Sequence, residues 1–394
     1  MPSAALFRVL TVWPVAALAA GTPPEIEPPE AALTPPPDAE KAIAAPGFVL
    51  IPNPAFPRPE MPVVQQRAGG RVYGPGDVAP YFNEGRLAEA KRSFDRGAYA
   101  EARALLAEAG DALPVRYLRA LAALRAEQYA VAAEEMAALA VDYAPLRDRC
   151  LTHAGTAYAE LQQWDRAADV LSKVERDSRL YPDARLALFR ALRSAGKLDE
   201  AAAALAPLAA MPAPGWGRDV GADALWALAD LQRARRRSAA EKEALEALWA
   251  NHPLSDEAAL AEARLDLKKI ALARIVDRAS SLVDAHRNRR GVELLERHLS
   301  RLILPDPLAC RARFILGKAY RKEREHTRAI AVLEPVAAKC PDPELRARVL
   351  YVLGSSRSIV DSSRAAGTYE ALAHDYPGHP FADDALFFAA DVYV

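Results

Sequence analysis

Adjacent carboxylates are the first residues in this sequence whose type could support catalysis. Two such pairs are Glu134 with Glu135 and Asp383 with Asp384. Glycoside cleavage needs two carboxyl groups that face each other across a sugar. Neighbouring residues on a helix point in different directions. Both pairs are therefore predicted to have a structural role.

Other catalytic and cofactor patterns are missing from the sequence. It has no G-x-x-x-x-G-K-[ST] phosphate loop, no G-x-G-x-x-G after a strand and no G-x-S-x-G nucleophile turn. The seven histidines do not fall at metal-ligand spacings, and no C-x-x-C occurs. The sequence therefore predicts no catalytic residue, no metal site and no cofactor.

Two of the three cysteines could form a covalent bond. Cys310 lies near the start of one predicted helix and Cys340 just past the end of the next, so an antiparallel pair would bring both to the same end. In an oxidising compartment a disulfide closing a loop of about thirty residues would stabilise this unit by roughly a few kcal/mol. The alternative is two unrelated buried thiols. Cys150 has no comparable partner and is predicted to be a buried free thiol.

The segment that positions these cysteines, residues 307–341, is predicted to form two facing helices. Apolar or small residues recur at helical spacing in each half, with a polar turn between them. Gly317 would allow the second helix to approach closely, and Tyr320 would fill the space between the two helices. Ala329 is small for the same reason as Gly317, and Pro341 would stop the second helix.

The same arrangement recurs earlier in the chain. An apolar residue followed three positions later by alanine marks the start of each second helix, at steps of 30, 35 and 34 residues. One helix pair cannot cover its own apolar face, so a period in this range predicts a stack of pairs. Gly155 and Tyr158 stand in the same relation as Gly317 and Tyr320, 162 residues further along. The residues that mark the helix starts are Tyr99, Ala102, Tyr129, Ala132, Trp164, Ala167, Leu198 and Ala201.

These markers resemble those of the tetratricopeptide repeat family. An L-G-x-x-Y motif, a small residue and a closing proline carry the resemblance, although Arg313 stands where the family prefers tryptophan. The resemblance implies an all-α fold, a tetratricopeptide-like α-solenoid of about eight helix pairs. Independently, abundant alanine and an aromatic content of only 7% favour many closely packed helices. The matching positions are Leu316, Gly317, Tyr320, Ala329 and Pro341.

Two interruptions divide the predicted array. The rhythm breaks around residues 210–219, which predicts an N-terminal solenoid of residues 81–212 and a C-terminal solenoid of residues 213–394. Further on, residues 255–288 are predicted to form one long helix that departs from the repeat period. Overlapping apolar faces in residues 381–394 indicate that the solenoid is truncated within a repeat.

The first eighty residues differ in composition from the rest. Residues 1–20 hold a short apolar run and an A-x-A pattern, which predict a signal peptide. Pro14 interrupts the run, which is also too short for a stable membrane span. Residues 21–80 are dense in proline and are predicted to form a disordered linker. The expected location is periplasmic or secreted. The alternative is a cytoplasmic protein with an uncleaved apolar start, and it is favoured by the weakly basic N-terminus, where Arg8 is the only basic residue.

Two phrases in late repeats are almost copies, HPLSDEA at residues 252–258 and HPFADDA at residues 379–385. Both can be explained as helix-boundary signals, because proline, a polar turn and acidic residues mark a helix start. The sequence of residues 375–386, which includes Pro377, is also closely similar to repeats in the superhelical region of soluble lytic murein transglycosylases. That resemblance implies the non-catalytic superhelical region of an exported peptidoglycan lytic transglycosylase. The family's Glu-Ser motif does not occur, so the catalytic domain would lie outside this sequence.

The surface of the predicted solenoid remains as the place for function. Its concave groove would be lined by the first helices of the pairs, whose faces carry both arginine and glutamate. A formal net charge of -1 gives no field that would attract nucleic acid. The expected partner is a protein or peptide, or a peptidoglycan strand, along the concave face. The alternative function is a periplasmic scaffold or adaptor that mediates protein–protein interaction without activity of its own.

Overall fold

The structure, a computed structural model, describes residues 81–393. Within these residues the backbone forms eighteen α-helices and no β-strand, which confirms the predicted all-α fold. The predicted signal peptide of residues 1–20, the predicted linker up to residue 80 and Val394 lie outside the described residues.

Short turns separate most of the helices. Three 3-10 helices occur in the connections, at Ala144–Leu146, Leu267–Lys269 and Leu299–Arg301. The α-helices are α1 (Gly85–Asp95), α2 (Tyr99–Ala107), α3 (Leu113–Arg125), α4 (Tyr129–Asp142), α5 (Arg147–Glu160), α6 (Trp164–Ser172), α7 (Tyr181–Ser194), α8 (Leu198–Ala209), α9 (Val220–Ala234), α10 (Ser238–Asn251), α11 (Asp256–Arg264), α12 (Leu272–Asp284), α13 (Asn288–Glu296), α14 (Pro307–Lys322), α15 (His326–Lys339), α16 (Pro343–Val360), α17 (Ser362–Asp375) and α18 (Ala382–Tyr393).

Sixteen of these helices form eight antiparallel pairs. The pairs are α1/α2, α3/α4, α5/α6, α7/α8, α9/α10, α12/α13, α14/α15 and α16/α17. The second helix of a pair also packs against the first helix of the next, including α10 against α12 although α11 lies between them in the sequence. This arrangement confirms the predicted solenoid of about eight helix pairs. Helix α11 lies between the fifth and sixth pairs, and α18 follows the eighth.

A residue in the left-handed conformation shapes the turn inside seven of the eight pairs. In the turn after α14, for example, Arg324 has a φ of 62°, and the amide of Glu325 donates to the carbonyl of Tyr320 at 2.9 Å. This Schellman pattern ends the first helix and sends the chain back along it. The seven residues, with φ between 57° and 83°, are Gly97, Glu127, Gln162, Gly196, Arg236, His286 and Arg324.

Two glycines let the helices of a pair approach until no Cβ atom fits between them. A Cβ placed on Gly317 of α14 would lie 2.4 Å from the side chain of Leu333 in α15. A Cβ on Gly155 of α5 would lie at the same distance from Leu171 in α6. Both leucines are fully buried. The leucine therefore occupies the space that the glycine leaves open.

The prediction of one long helix over residues 255–288 is wrong. Helix α11 ends at Arg264, a 3-10 helix follows, and α12 begins at Leu272. The backbone at Ile270 is extended, and its side chain is buried in one cluster with Trp249 of α10. Burial of these large apolar side chains outweighs the helix propensity of the intervening residues.

Arg278 fixes α12 against α10 and α11. Its guanidinium lies 4.4 Å from the centroid of the Trp249 ring, and it donates to the Trp249 carbonyl and, at 3.2 Å, to Glu262. The indole N–H of Trp249 donates to the same carboxylate at 3.0 Å. Burial lowers the pKa of Arg278. The three contacts compensate for the desolvation of its charge.

The predicted boundary between two solenoids falls in the segment between α8 and α9. One buried cluster continues across this segment, since it includes Leu205 of α8 and Leu231 of α9. The division at residues 212 and 213 stays a prediction.

We expect Gly317→Ala to destabilise the protein, because the new methyl group would overlap Leu333. Overpacking of this kind costs about 1–3 kcal/mol. Urea unfolding followed by far-UV circular dichroism measures the change. Gly367→Ala is the matched control, since Gly367 lies in α17 with no atom within 4 Å of its Cβ position. There alanine should add about 0.5–1 kcal/mol as the better helix former. Similar effects of the two substitutions would argue against the close approach.

Candidate functional site

The marker residues found in the sequence build the repeats and do not converge on one site. Tyr99, Tyr129 and Trp164 are the first residues of α2, α4 and α6. Pro341 and Pro377 each lie two residues beyond a helix end, after α15 and α17. The alanines at the helix contacts are all fully buried, namely Ala102, Ala132, Ala167, Ala201 and Ala329.

The marker tyrosine of the best-defined pair holds three helices together. The hydroxyl of Tyr320 in α14 donates to Glu296 of α13, and it accepts from Arg328 of α15 at 2.8 Å. The guanidinium of Arg328 lies 4.2 Å from the centroid of the tyrosine ring and also pairs with Glu296. Burial, and then the bond to Glu296, raises the pKa of Tyr320. The side chain therefore remains a neutral hydrogen-bond donor.

The same contacts recur around the earlier marker tyrosine. Arg166 of α6 donates to the hydroxyl of Tyr158 at 2.8 Å and to Glu134 of α4 at 2.7 Å, and its guanidinium lies over the Tyr158 ring. Sequence reasoning missed this feature. Its signal is an arginine eight residues after the tyrosine and a glutamate 24 residues before it, in both copies. The recurrence indicates that this tyrosine–arginine–glutamate contact joins successive repeats.

A groove between the first helices of three pairs is the best candidate for a binding site. Helices α12, α14 and α16 border an open groove with a volume of about 600 Å³. Its apolar lining comes from Val283, Pro307, Phe314, Ile315, Pro341 and Leu345, and its polar lining from Ser280, Asp284, Arg311, Lys318, Asp342, Glu344 and Arg348.

Most charges of this groove are paired within the protein. Arg311 donates to Asp277 at 2.7 Å and Lys318 donates to Asp284 at 2.8 Å, each pair joining α14 to α12 across a 34-residue separation. Asp342 accepts from the first amides of α16 as its N-cap. A ligand would therefore meet apolar side chains and hydrogen-bonding groups of both signs.

A disulfide forms part of the groove wall. It joins Cys310 and Cys340, whose Cα atoms are 6.0 Å apart. Cys310 lies in the first turn of α14 and lines the groove, while Cys340 ends α15 directly before Pro341. The bond therefore ties the start of α14 to the segment that leads into α16.

The third cysteine is buried in α5 and free. Burial raises the pKa of Cys150 to about 11. A thiol in this environment stays protonated and unreactive near neutral pH. In the described part of the chain, no group of three or more His, Cys, Asp or Glu side chains is placed to hold a metal ion.

Between residues 81 and 393, none of the helices combines the length and the apolar character that crossing a membrane requires.

We expect Tyr320→Phe to lower the free energy of unfolding by about 1 kcal/mol, because it removes the hydroxyl shared by Glu296 and Arg328. Urea unfolding measures this change. Tyr376→Phe is the control, since the hydroxyl of Tyr376 has no hydrogen-bond partner among residues 81–393. Equal losses in the two variants would show that the three-helix contact contributes nothing.

A comparison of the sequence with protein families points to the same repeat. A sequence model of the tetratricopeptide repeat matches residues 276–342, which run from α12 to the N-cap of α16. No curated protein matches the chain.

Solved structures with detectable similarity include a tetratricopeptide repeat protein from Parabacteroides merdae, at 12% identity and a TM-score of 0.32, covering 71% of this chain and 100% of that one. The C-terminal part of a repeat-containing protein from Cytophaga hutchinsonii is similar at 12% identity and a TM-score of 0.33, covering 76% and 98%. The APC/C hetero-tetramer Cut9–Hcn1 is similar at 15% identity and a TM-score of 0.30, over 77% of this chain, which spans only 55% of that chain. Residues 276–342 therefore match the tetratricopeptide repeat, within a tetratricopeptide-like solenoid of eight helix pairs.

Proposed function

We propose that the chain is a scaffold that binds a segment of a partner protein in the groove between α12, α14 and α16. The groove itself carries this proposal, since it offers about 600 Å³ of open, partly apolar space along three successive repeats. Repeat solenoids use extended surfaces of this kind for binding.

An extended peptide fits the chemistry of the groove. Phe314 and Leu345 offer apolar contacts to side chains. Arg348 is half-exposed, and among residues 81–393 its charge is paired only with Glu344 of its own helix at 3.4 Å, so its guanidinium can turn to a ligand. Glu344 is also paired with His379 at 3.4 Å. A peptide backbone presents donors and acceptors together, and it suits this balanced lining better than a polyanion does.

The second candidate is the non-catalytic superhelical region of an exported peptidoglycan lytic transglycosylase, with a peptidoglycan strand as the ligand. The repeated phrases at residues 252–258 and 379–385 support it. Both phrases have structural roles, because their histidines His252 and His379 are largely buried at the turns before α11 and α18, and Ser255 caps α11. We therefore rank this candidate after protein binding.

We also propose that the protein is periplasmic or secreted. The disulfide between Cys310 and Cys340 supports this location, because disulfides persist in oxidising compartments. The apolar start of the sequence, residues 1–20, agrees with export.

We expect peptides selected from a random display library against the full chain to bind in the groove. Phe314→Ala should weaken their binding by about tenfold or more, because it removes a large apolar side chain from the lining of the groove. Fluorescence anisotropy with the selected peptides measures the affinity. Purified peptidoglycan, tested in a sedimentation assay with the same variants, is the competing ligand.

Phe387→Ala is the matched control for this experiment, since Phe387 is an exposed aromatic residue of α18 away from the groove. Binding that is equally sensitive or insensitive to both substitutions refutes the groove as the site. Sedimentation with peptidoglycan that Phe314→Ala abolishes, together with failure to select any peptide, favours the second candidate.

Thiol counting tests the disulfide and the location together. Protein isolated from the periplasm or medium should show one reactive thiol per chain, Cys150, after denaturation without reduction. The folded protein should show almost none, because Cys150 is buried and its pKa is raised. Three thiols without reduction would rule out the bridge and weaken the case for export.

A further inference from the structure

The segment between α8 and α9 presents a tryptophan to solvent. Trp216 is 91% exposed, more than any other large apolar side chain of the described residues. Full exposure of an indole ring leaves a large apolar area in water, which is unfavourable unless a partner covers it.

The position of this tryptophan is held by contacts on the side toward α9. Arg218 pairs with Asp183 of α7 at 2.9 Å and with Asp223 of α9 at 2.7 Å. Asp219 caps α9 through the amide of Ala222 at 3.0 Å, and its other oxygen pairs with the buried His252 at 2.8 Å. Trp216 is therefore displayed by an anchored segment, which lowers the entropy cost of binding through it.

Trp216 stands beside other exposed apolar side chains. Met211 precedes it, and Leu254 reaches the same cavity from the turn between α10 and α11. The cavity has a volume of about 1110 Å³. An exposed tryptophan with methionine and leucine has the composition of the centre of a protein interface.

The charged groups around this surface are predominantly acidic. Asp256 and Glu257 at its edge have no ion-pair partner among the residues that the structure describes, while Arg218 is already neutralised by two carboxylates. The lining contains the guanidinium groups of Arg218 and Arg287, against the carboxylates of Asp219, Asp223, Asp256, Glu257 and Asp284. A basic partner would complement this surface.

Two other tryptophans of the described residues, Trp226 and Trp249, each carry an arginine over the ring. The guanidinium of Arg264 lies 4.9 Å from the centroid of Trp226, and that of Arg278 lies 4.4 Å from Trp249. Within residues 81–393, Trp216 has no arginine over its ring. Its face is therefore free for a cation–π contact with a partner.

We propose that Met211, Trp216 and Leu254, with Asp256 and Glu257 at the edge, form a docking surface for a basic segment of a partner protein. An arginine of that segment stacks on Trp216, a neighbouring apolar side chain contacts Met211 and Leu254, and further basic groups meet the carboxylates. This surface adjoins the groove of α12, α14 and α16, with which it shares Asp284, but Trp216, Met211 and Leu254 lie outside that groove and bind by a different chemistry.

The test uses the full chain and a short fluorescein-labelled peptide of leucine, serine and arginine. A second peptide carries glutamate in place of each arginine. Anisotropy should show that the arginine peptide binds about tenfold more tightly, with an affinity that falls as salt rises. Trp216→Ala should weaken this binding by about fivefold or more without changing any charge. Replacing Asp256 and Glu257 by lysine should remove the preference for the arginine peptide.

Val141→Ala is the control for loss of an exposed apolar side chain elsewhere and should leave binding unchanged. Circular dichroism verifies that Trp216→Ala folds. Absence of binding, equal binding of the two peptides, or binding that Trp216→Ala leaves intact overturns the proposal. Loss of binding in Phe314→Ala but not in Trp216→Ala also overturns it, since the peptide would then occupy the groove.

Discussion

The missing Cβ at Gly155 and Gly317 sets the distance between the two helices of the pairs α5/α6 and α14/α15. A leucine from the second helix fills the space, at a separation where even a methyl group would overlap it. Closely packed pairs still leave an apolar face uncovered, and only the next pair can cover it. The array therefore depends on packing within and between neighbouring pairs, in several buried clusters rather than one central core.

Contacts between neighbouring pairs also fix the position of each pair relative to the next. Arginines that stack on the marker tyrosines reach a glutamate of the preceding pair, and ion pairs 34 residues apart join α12 to α14. These pairs use up most charges of the groove, so it is nearly neutral. Around Trp216 the acidic groups outnumber the basic ones, and Asp256 and Glu257 have no ion-pair partner among residues 81–393. The two surfaces therefore differ in charge although the same chain of repeats forms both.

The helix pairs and their number could be predicted because the period and the small residues are local patterns of the sequence. The separation of helix α11 from α12 could not be predicted. The break before α12 contains neither glycine nor proline, and it depends on the packing of Ile270 with Trp249. The sequence predicted only that the first helices of the pairs would line a groove, and not which side chains would form its lining. Phe314 resembles any apolar residue of a helix in the sequence, and its place in the lining depends on how α12, α14 and α16 pack.

The covalent link between Cys310 and Cys340 also has a mechanical consequence. A solenoid pulled from its two ends extends like a spring, because each pair holds only its neighbours. The bridge spans a sequence separation of 30 residues, so tension passes from α14 to the start of α16 through the two sulfur atoms. The α14/α15 hairpin carries none of this load, and roughly 100 Å of chain at about 3.5 Å per residue stays withheld from extension. This stretch of the array can lengthen only after chemical reduction.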